Sequence, residues 1–157
     1  MSKTVTVDNV QDYIGQITGE SDWFQITQEQ INKFAEATHD HQFIHVDPEK
    51  AKETMFGSTI AHGFLTLSMI SHLAVDGMLK MDNLDMVVNY GGEKVRFMSP
   101  VKVDQKIRAV CKLADAQVKG AGKRVLFKYE ITMEIEGEKR PALIAEWLMM
   151  FMLKKEK

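Results

Sequence analysis

Four of the chain's five histidines, His39, His41, His45 and His62, fall within one quarter of its 157 residues, and His72 follows soon after. The densest polar stretch is Thr38-His39-Asp40-His41-Gln42-Phe43-Ile44-His45. A carboxylate and an imidazole that meet at one point can polarise a water, because the imidazole relays protons near neutral pH. Asp40 and His45 are the pair that offers this chemistry. A plainer alternative has Asp40 capping a turn and the histidines favouring the end of a preceding helix. His39, Asp40, His41 and His45 also carry nitrogen and oxygen donors for a metal. Their spacing matches no zinc signature, and no metal site is expected. A second cluster is Ser58-Thr59-Ile60-Ala61-His62-Gly63-Phe64, at the start of an apolar run. The first amides of a helix are unpaired and sit at its positive end, and glycine admits a ligand close to the backbone. Gly63 could therefore support a developing oxyanion, although many buried helices also begin with small residues. There is no glycine-rich phosphate loop and no serine nucleophile elbow.

These groups need rigid elements to hold them. Val10, Tyr13 and Ile14 have helical spacing, broken by Gly15 and Gly19, and Trp23, Phe24 and Ile26 read as a short strand. Thr27 with Gln30 reads as a capping box, and Ile31, Phe34 and Ala35 form an apolar stripe, so a helix is expected from about Gln28 to Ala37. Asp47-Pro48-Glu49 reads as an N-cap, a first-turn proline and a first-turn acid, opening a short helix expected to end near Met55. Asp40 and His45 then lie in a loop between helices, free of helical phase. From His62 to Leu79 apolar residues occupy more than one side, which predicts one long buried helix.

The second half alternates instead. Val95 and Phe97, then Ile107, Ala109, Cys111 and Leu113, then Val125 through Ile135 interleave with polar residues at period two. Trp147-Leu148-Met149-Met150-Phe151-Met152 is apolar on both faces, as in a central strand. Long strands joined by short turns form an antiparallel meander. The fold class expected is α+β, a hot-dog fold with a bent antiparallel sheet wrapped around a long central helix. One domain is expected over residues 1–157.

With Lys+Arg at 20 and Asp+Glu at 22, the net charge of −2 gives no electrostatic case for nucleic acid or for an anionic membrane. The 45% hydrophobic content argues for a packed core rather than disorder. No run is long and apolar enough to span a bilayer. The amino terminus has no run resembling a signal peptide, and the lone Cys111 cannot form an intrachain disulfide. A cytoplasmic protein is expected. The eleven methionines read as core filler.

The sequence resembles the MaoC-like dehydratase family, which includes (R)-specific enoyl-CoA hydratases. That family's motif runs from an aromatic residue through Gly-Asp-x-Asn-Pro-aliphatic-His to a small residue. Here Phe34, Asp40, Ile44, His45 and Ala51 match it, while His39, Gln42 and Phe43 replace its Gly, Asn and Pro. Asp40 through Pro48, Ser21-Asp22-Trp23, Ile60 through Leu67, Asn89-Tyr90-Gly91, Lys94 through Phe97 with Pro100-Val101, and Glu134 through Gly137 resemble its nodulation protein N-like subgroup. The resemblance runs from about Gly15 to Phe151.

The resemblance implies reversible hydration of a trans-2-enoyl thioester, chiefly coenzyme A-linked, to the (R)-3-hydroxyacyl product. Asp40 and His45 would activate the water, the Gly63 amide would hold the thioester oxygen, and Ser71 would contact the site. Ser71 lies eight residues past Gly63, about two helical turns, so it faces roughly the same way; a hydroxyl bonded back to the helix is its alternative reading. The resemblance further implies no cofactor beyond the coenzyme A of the substrate, and a homodimer joined edge to edge. Lys94 and Arg96 are candidates by position for the coenzyme's phosphates. The rivals are a hot-dog thioesterase using Asp76 or Glu53, a non-catalytic acyl-thioester binder, and a metal-dependent enzyme.

Overall fold

The computed structural model describes residues 2–155. The chain opens with β1 (Thr4–Val5), a 3-10 turn at Val10–Tyr13, β2 (Ile17–Glu20) and β3 (Phe24–Gln25). The helices α1 (Gln28–Thr38), α2 (Phe43–Val46) and α3 (Pro48–Lys52) follow, then α4 (Gly63–Ser68) and α5 (Ile70–Leu73). After a 3-10 turn at Ala74–Asp76 come β4 (Lys80–Met81), β5 (Leu84–Phe97), β6 (Lys106–Lys119), β7 (Arg124–Ile135) and β8 (Leu143–Leu153). The main sheet has the order β2-β6-β7-β8-β5, with β3 also on β6, and every pairing in it is antiparallel. β1 pairs separately and in parallel with β4.

The period-two expectation holds where a strand has one face on the core. Ile107, Ala109, Cys111 and Leu113 of β6, the odd-numbered residues from Val125 to Ile135 of β7, and Leu143, Ala145, Met149 and Phe151 of β8 are buried together. They pack with Leu65, Ile70, Leu73 and Ala74 of the helical segments in one apolar cluster, so the sheet wraps the helix in the hot-dog manner. Burial pushes the Cys111 thiol up to about 12, which leaves it inert as a nucleophile.

The central helix differs from the single run expected over His62 to Leu79. It starts at Gly63, is interrupted at Met69, and ends in the 3-10 turn at Asp76. Ser68 supplies a reason: its hydroxyl donates to the Phe64 carbonyl at 2.7 Å, a back-bond that bends helices. The next turn tightens, with the His72 amide reaching the Met69 carbonyl at 3.1 Å. The helix stops where Gly77 meets β2, since a Cβ there would lie 2.8 Å from the Cys111 Sγ and 2.9 Å from the Gly19 carbonyl oxygen. The helix expected to end near Met55 also stops earlier, at Lys52.

Candidate active site

The Asp40–His45 segment is built by local capping. The Thr27 hydroxyl accepts the Gln30 amide at 3.3 Å and starts α1. His39 ends it at φ 61°, the left-handed position where glycine usually stands. The Asp40 carboxylate then accepts the Gln42 amide at 3.3 Å, an Asx turn that swings the chain into α2. His45 is therefore held on a helical turn, not in the free loop the sequence implied. Asp47 caps α3 through the Lys50 amide at 3.1 Å.

Long-range bonds fix this segment against the start of α4. The Gln28 amide group donates to the His45 carbonyl at 2.8 Å, and its oxygen accepts the hydroxyl of Thr59. The Ile60 amide donates to the Ile44 carbonyl at 3.0 Å, and the Ala61 amide to the Val101 carbonyl at 2.7 Å. The His45 imidazole donates from Nδ1 to the Ile60 carbonyl at 2.7 Å. A carbonyl only accepts, so the bond places the proton on Nδ1 and leaves the Nε2 lone pair available. His45 is 7% exposed. Burial lowers its pKa from the usual 6.5; the Ile60 carbonyl opposes this, the neighbouring His62 adds to it, and Asp40 opposes it. The net result is a neutral base at neutral pH.

His62 completes a cluster that residue spacing did not single out. One ligand-type atom each from the exposed Asp40 and the buried His45 and His62 lie within 4.8 Å of one another. The two imidazoles stack at 3.9 Å between centroids with 23° between planes. Their lone pairs therefore lie in nearly parallel planes, a poor match to two donors that must both aim at one zinc about 2.0–2.1 Å away. The His62 Nε2–H donates to the Asp40 carbonyl at 3.0 Å. The available signal was the crowding of histidines into one quarter of the chain. His39 is the helix cap, and His41 faces Glu36 at 3.6 Å, so neither belongs to the cluster.

His45 and Gly63 line one cavity of about 460 Å³, walled by apolar side chains that include Phe56, Phe64, Phe97 and Val101. A Cβ at Gly63 would lie 2.9 Å from the Phe97 ring, so a side chain there requires that ring to shift. The first α4 amide to reach an intrahelical acceptor is that of Leu65, to the His62 carbonyl at 3.0 Å, so the Gly63 amide lies ahead of the ladder. Ser71 is not in this cavity. It lines two other grooves, of about 420 and 300 Å³, which share Asn89 and Trp147. The hydroxyl bonded back to the helix belongs to Ser68, not Ser71.

The rival residues are placed elsewhere. Asp76 lines a polar recess with Glu20 and Asp22, and Glu53 is exposed. Lys94 is taken by Glu146 at 3.1 Å, while the Arg96 guanidinium donates to the Val95 carbonyl. No helix among the described residues is long and apolar enough to cross a membrane.

Comparison with known proteins agrees with this architecture. Residues 9–135 match the family model for the MaoC like domain. Nodulation protein N of Rhizobium leguminosarum bv. viciae is 50% identical over 145 residues, covering 92% of this chain and 89% of that protein. 3-Hydroxyacyl-thioester dehydratase Z of Mycobacterium tuberculosis is 46% identical over 132 residues, covering 84% of this chain and 86% of its own. The solved (R)-hydratase from A. caviae superposes with a TM-score of 0.68 at 19% identity, covering 85% of this chain and 95% of that one.

Proposed function

The chain belongs to the MaoC-like domain family, and we propose that it catalyses reversible hydration of a trans-2-enoyl thioester to the (R)-3-hydroxyacyl thioester. The observation that carries this reading is a buried, neutral His45 whose Nε2 is left available beside Asp40, in a cavity shared with Gly63. The family and the dehydratase relative support the reaction class.

In the hydration direction, Asp40 orients a water and His45 Nε2 removes one of its protons. The water oxygen bonds to C3 of the enoyl group, and the C2=C3 π pair moves into the thioester carbonyl. The Gly63 amide hydrogen-bonds the developing enolate oxygen. Collapse of the enolate takes the proton from His45 to C2, which restores the catalyst. Dehydration is the same path reversed. The apolar cavity wall excludes water from the enolate, and no cofactor enters any step. Coenzyme A is the expected thiol, and Ser71 would contact the acyl portion from its own groove. Two copies would pair along β5, whose outer edge is unpaired in the single chain and exposes Val88 and Tyr90.

The test is crotonyl-CoA turnover, followed as loss of the conjugated enoyl absorbance. Asp40→Asn and His45→Gln should each lose roughly 10²–10⁴-fold in kcat, the usual contribution of a general acid–base group. No free thiol should appear. Thiol release would make the protein a thioesterase. A folded wild type inert on crotonyl-CoA and on longer enoyl-CoAs would refute the proposal in this form.

A further inference from the structure

His62 is 2% exposed, and its Nδ1 has no hydrogen-bond partner among the described residues. A buried unpaired acceptor is costly, so its retention needs a physical reason. The ring is fixed on both faces and at one nitrogen. It stacks on His45, packs against Phe34 at 4.9 Å between centroids, and donates from Nε2 to the Asp40 carbonyl at 3.0 Å.

We propose that His62 is a positioning residue for the Asp40–His45 pair, acting as a neutral Nε2–H imidazole that ties the acid's backbone down and braces the base's ring. This inference rests on the hydratase reading above. The geometry explains why an imidazole stands here. Phenylalanine would stack equally well but could not donate to Asp40. Asparagine could donate but could not brace the flat face of His45. A solvated, charged histidine would serve neither purpose, because a cation stacked on His45 would oppose the proton that His45 must carry during turnover. The ionisable groups facing His62 are Asp40, from the loop after α1, and His45 on α2. From α1 itself the neighbour is the apolar Phe34, while His41 is turned toward Glu36.

The experiment combines ring-nitrogen NMR of the wild type with His62→Asn and His62→Phe variants. In the wild type at neutral pH, His62 should appear as the neutral Nε2–H tautomer and His45 as the neutral Nδ1–H tautomer. This readout does not depend on turnover, so it separates failure of this inference from failure of the hydratase reading. Both variants should lose roughly 10- to 100-fold in kcat on enoyl-CoA, the effect of slight misplacement of a catalytic group, with much smaller changes in KM. In His62→Asn, which removes the stacked ring, the His45 ring-nitrogen signals should no longer report a single neutral Nδ1–H tautomer. A purely structural role would leave the His45 tautomer as in the wild type. The inference is overturned if wild-type His62 is charged or carries its proton on Nδ1 at neutral pH. It is also overturned if the folded variants keep wild-type kcat and His62→Asn keeps the wild-type His45 tautomer. If a variant does not fold, the wild-type tautomers and the other variant decide.

Discussion

Replacing Gly63 by alanine separates the backbone's role at the head of α4 from simple packing. The added Cβ would lie 2.9, 3.0 and 3.3 Å from the Cε1, Cδ1 and Cζ atoms of Phe97. Overpacking of this kind costs about 1–3 kcal/mol, and alanine for glycine at a compatible backbone position returns about 0.4–1 kcal/mol through the unfolded state. The net loss is then about 0–2.5 kcal/mol. It should fall toward the lower end because Phe97 is 50% exposed and its ring can yield. For a chain of this size each kcal/mol moves Tm by about 2–4 °C. Activity should fall further than stability. A yielding Phe97 ring moves within the cavity it shares with His45, and the methyl group obstructs approach to the amide. Removal of an oxyanion donor costs about 10²–10³-fold in kcat. The assay is crotonyl-CoA turnover beside a thermal melt, on Gly63→Ala and on Gly63→Ala with Phe97→Leu. The double variant should recover Tm and leave kcat low. Wild-type kcat/KM in Gly63→Ala would refute the assignment of Gly63. Full recovery of kcat in the double variant would move the role to Phe97.

Gln28 holds the His45 carbonyl and the Thr59 hydroxyl together, so Gln28→Ala should cost about 1–3 kcal/mol for the groups left unpaired. Gln28→Glu should not rescue it, because a carboxylate cannot donate to the carbonyl; urea melts and kcat measure both. His45 has a native pKa below its usual 6.5, so the unfolded chain binds more protons in that range. Its contribution is present above 6.5 and is lost as pH falls from there through the native value, and His45→Gln should remove that part of the pH slope in urea midpoints. Prolonged chelation should leave turnover unchanged, whereas loss of activity restored by a divalent metal would overturn the stacked-ring argument at His45 and His62.

The sheet was legible wherever burial is one-sided. β6 and β7 show their period because one face meets the helix, and the water on the other face selects polar residues. β5 was read only near Val95 and Phe97, although it runs from Leu84. It is an edge strand exposed along most of its length, so no burial contrast was imposed on residues such as Met86, Tyr90 and Gly91. The unbroken helix expected over His62 to Leu79 failed for a different reason. Apolar periodicity records which side is buried, but not where a serine hydroxyl bonds back to a carbonyl and bends the helix.

The candidate site divides along the same line. Asp40, His45 and Gly63 could be named from residue type and motif, because their chemistry is carried by single side chains or by a backbone amide. What would make His45 a base is not local. Its tautomer depends on the Ile60 carbonyl, its carbonyl on Gln28, and its ring on His62. Each of these partners comes from another segment, brought in by the bonds of Ile60 to Ile44 and of Ala61 to Val101. Ser71 shows the converse. Its assignment counted eight residues as two turns, but at 3.6 residues per turn they overshoot by about 80°, and Ser71 lines a different groove from His45 and Gly63. Side-chain chemistry does not depend on such a count, whereas a role inferred by counting turns is only as sound as the angle between the two residues.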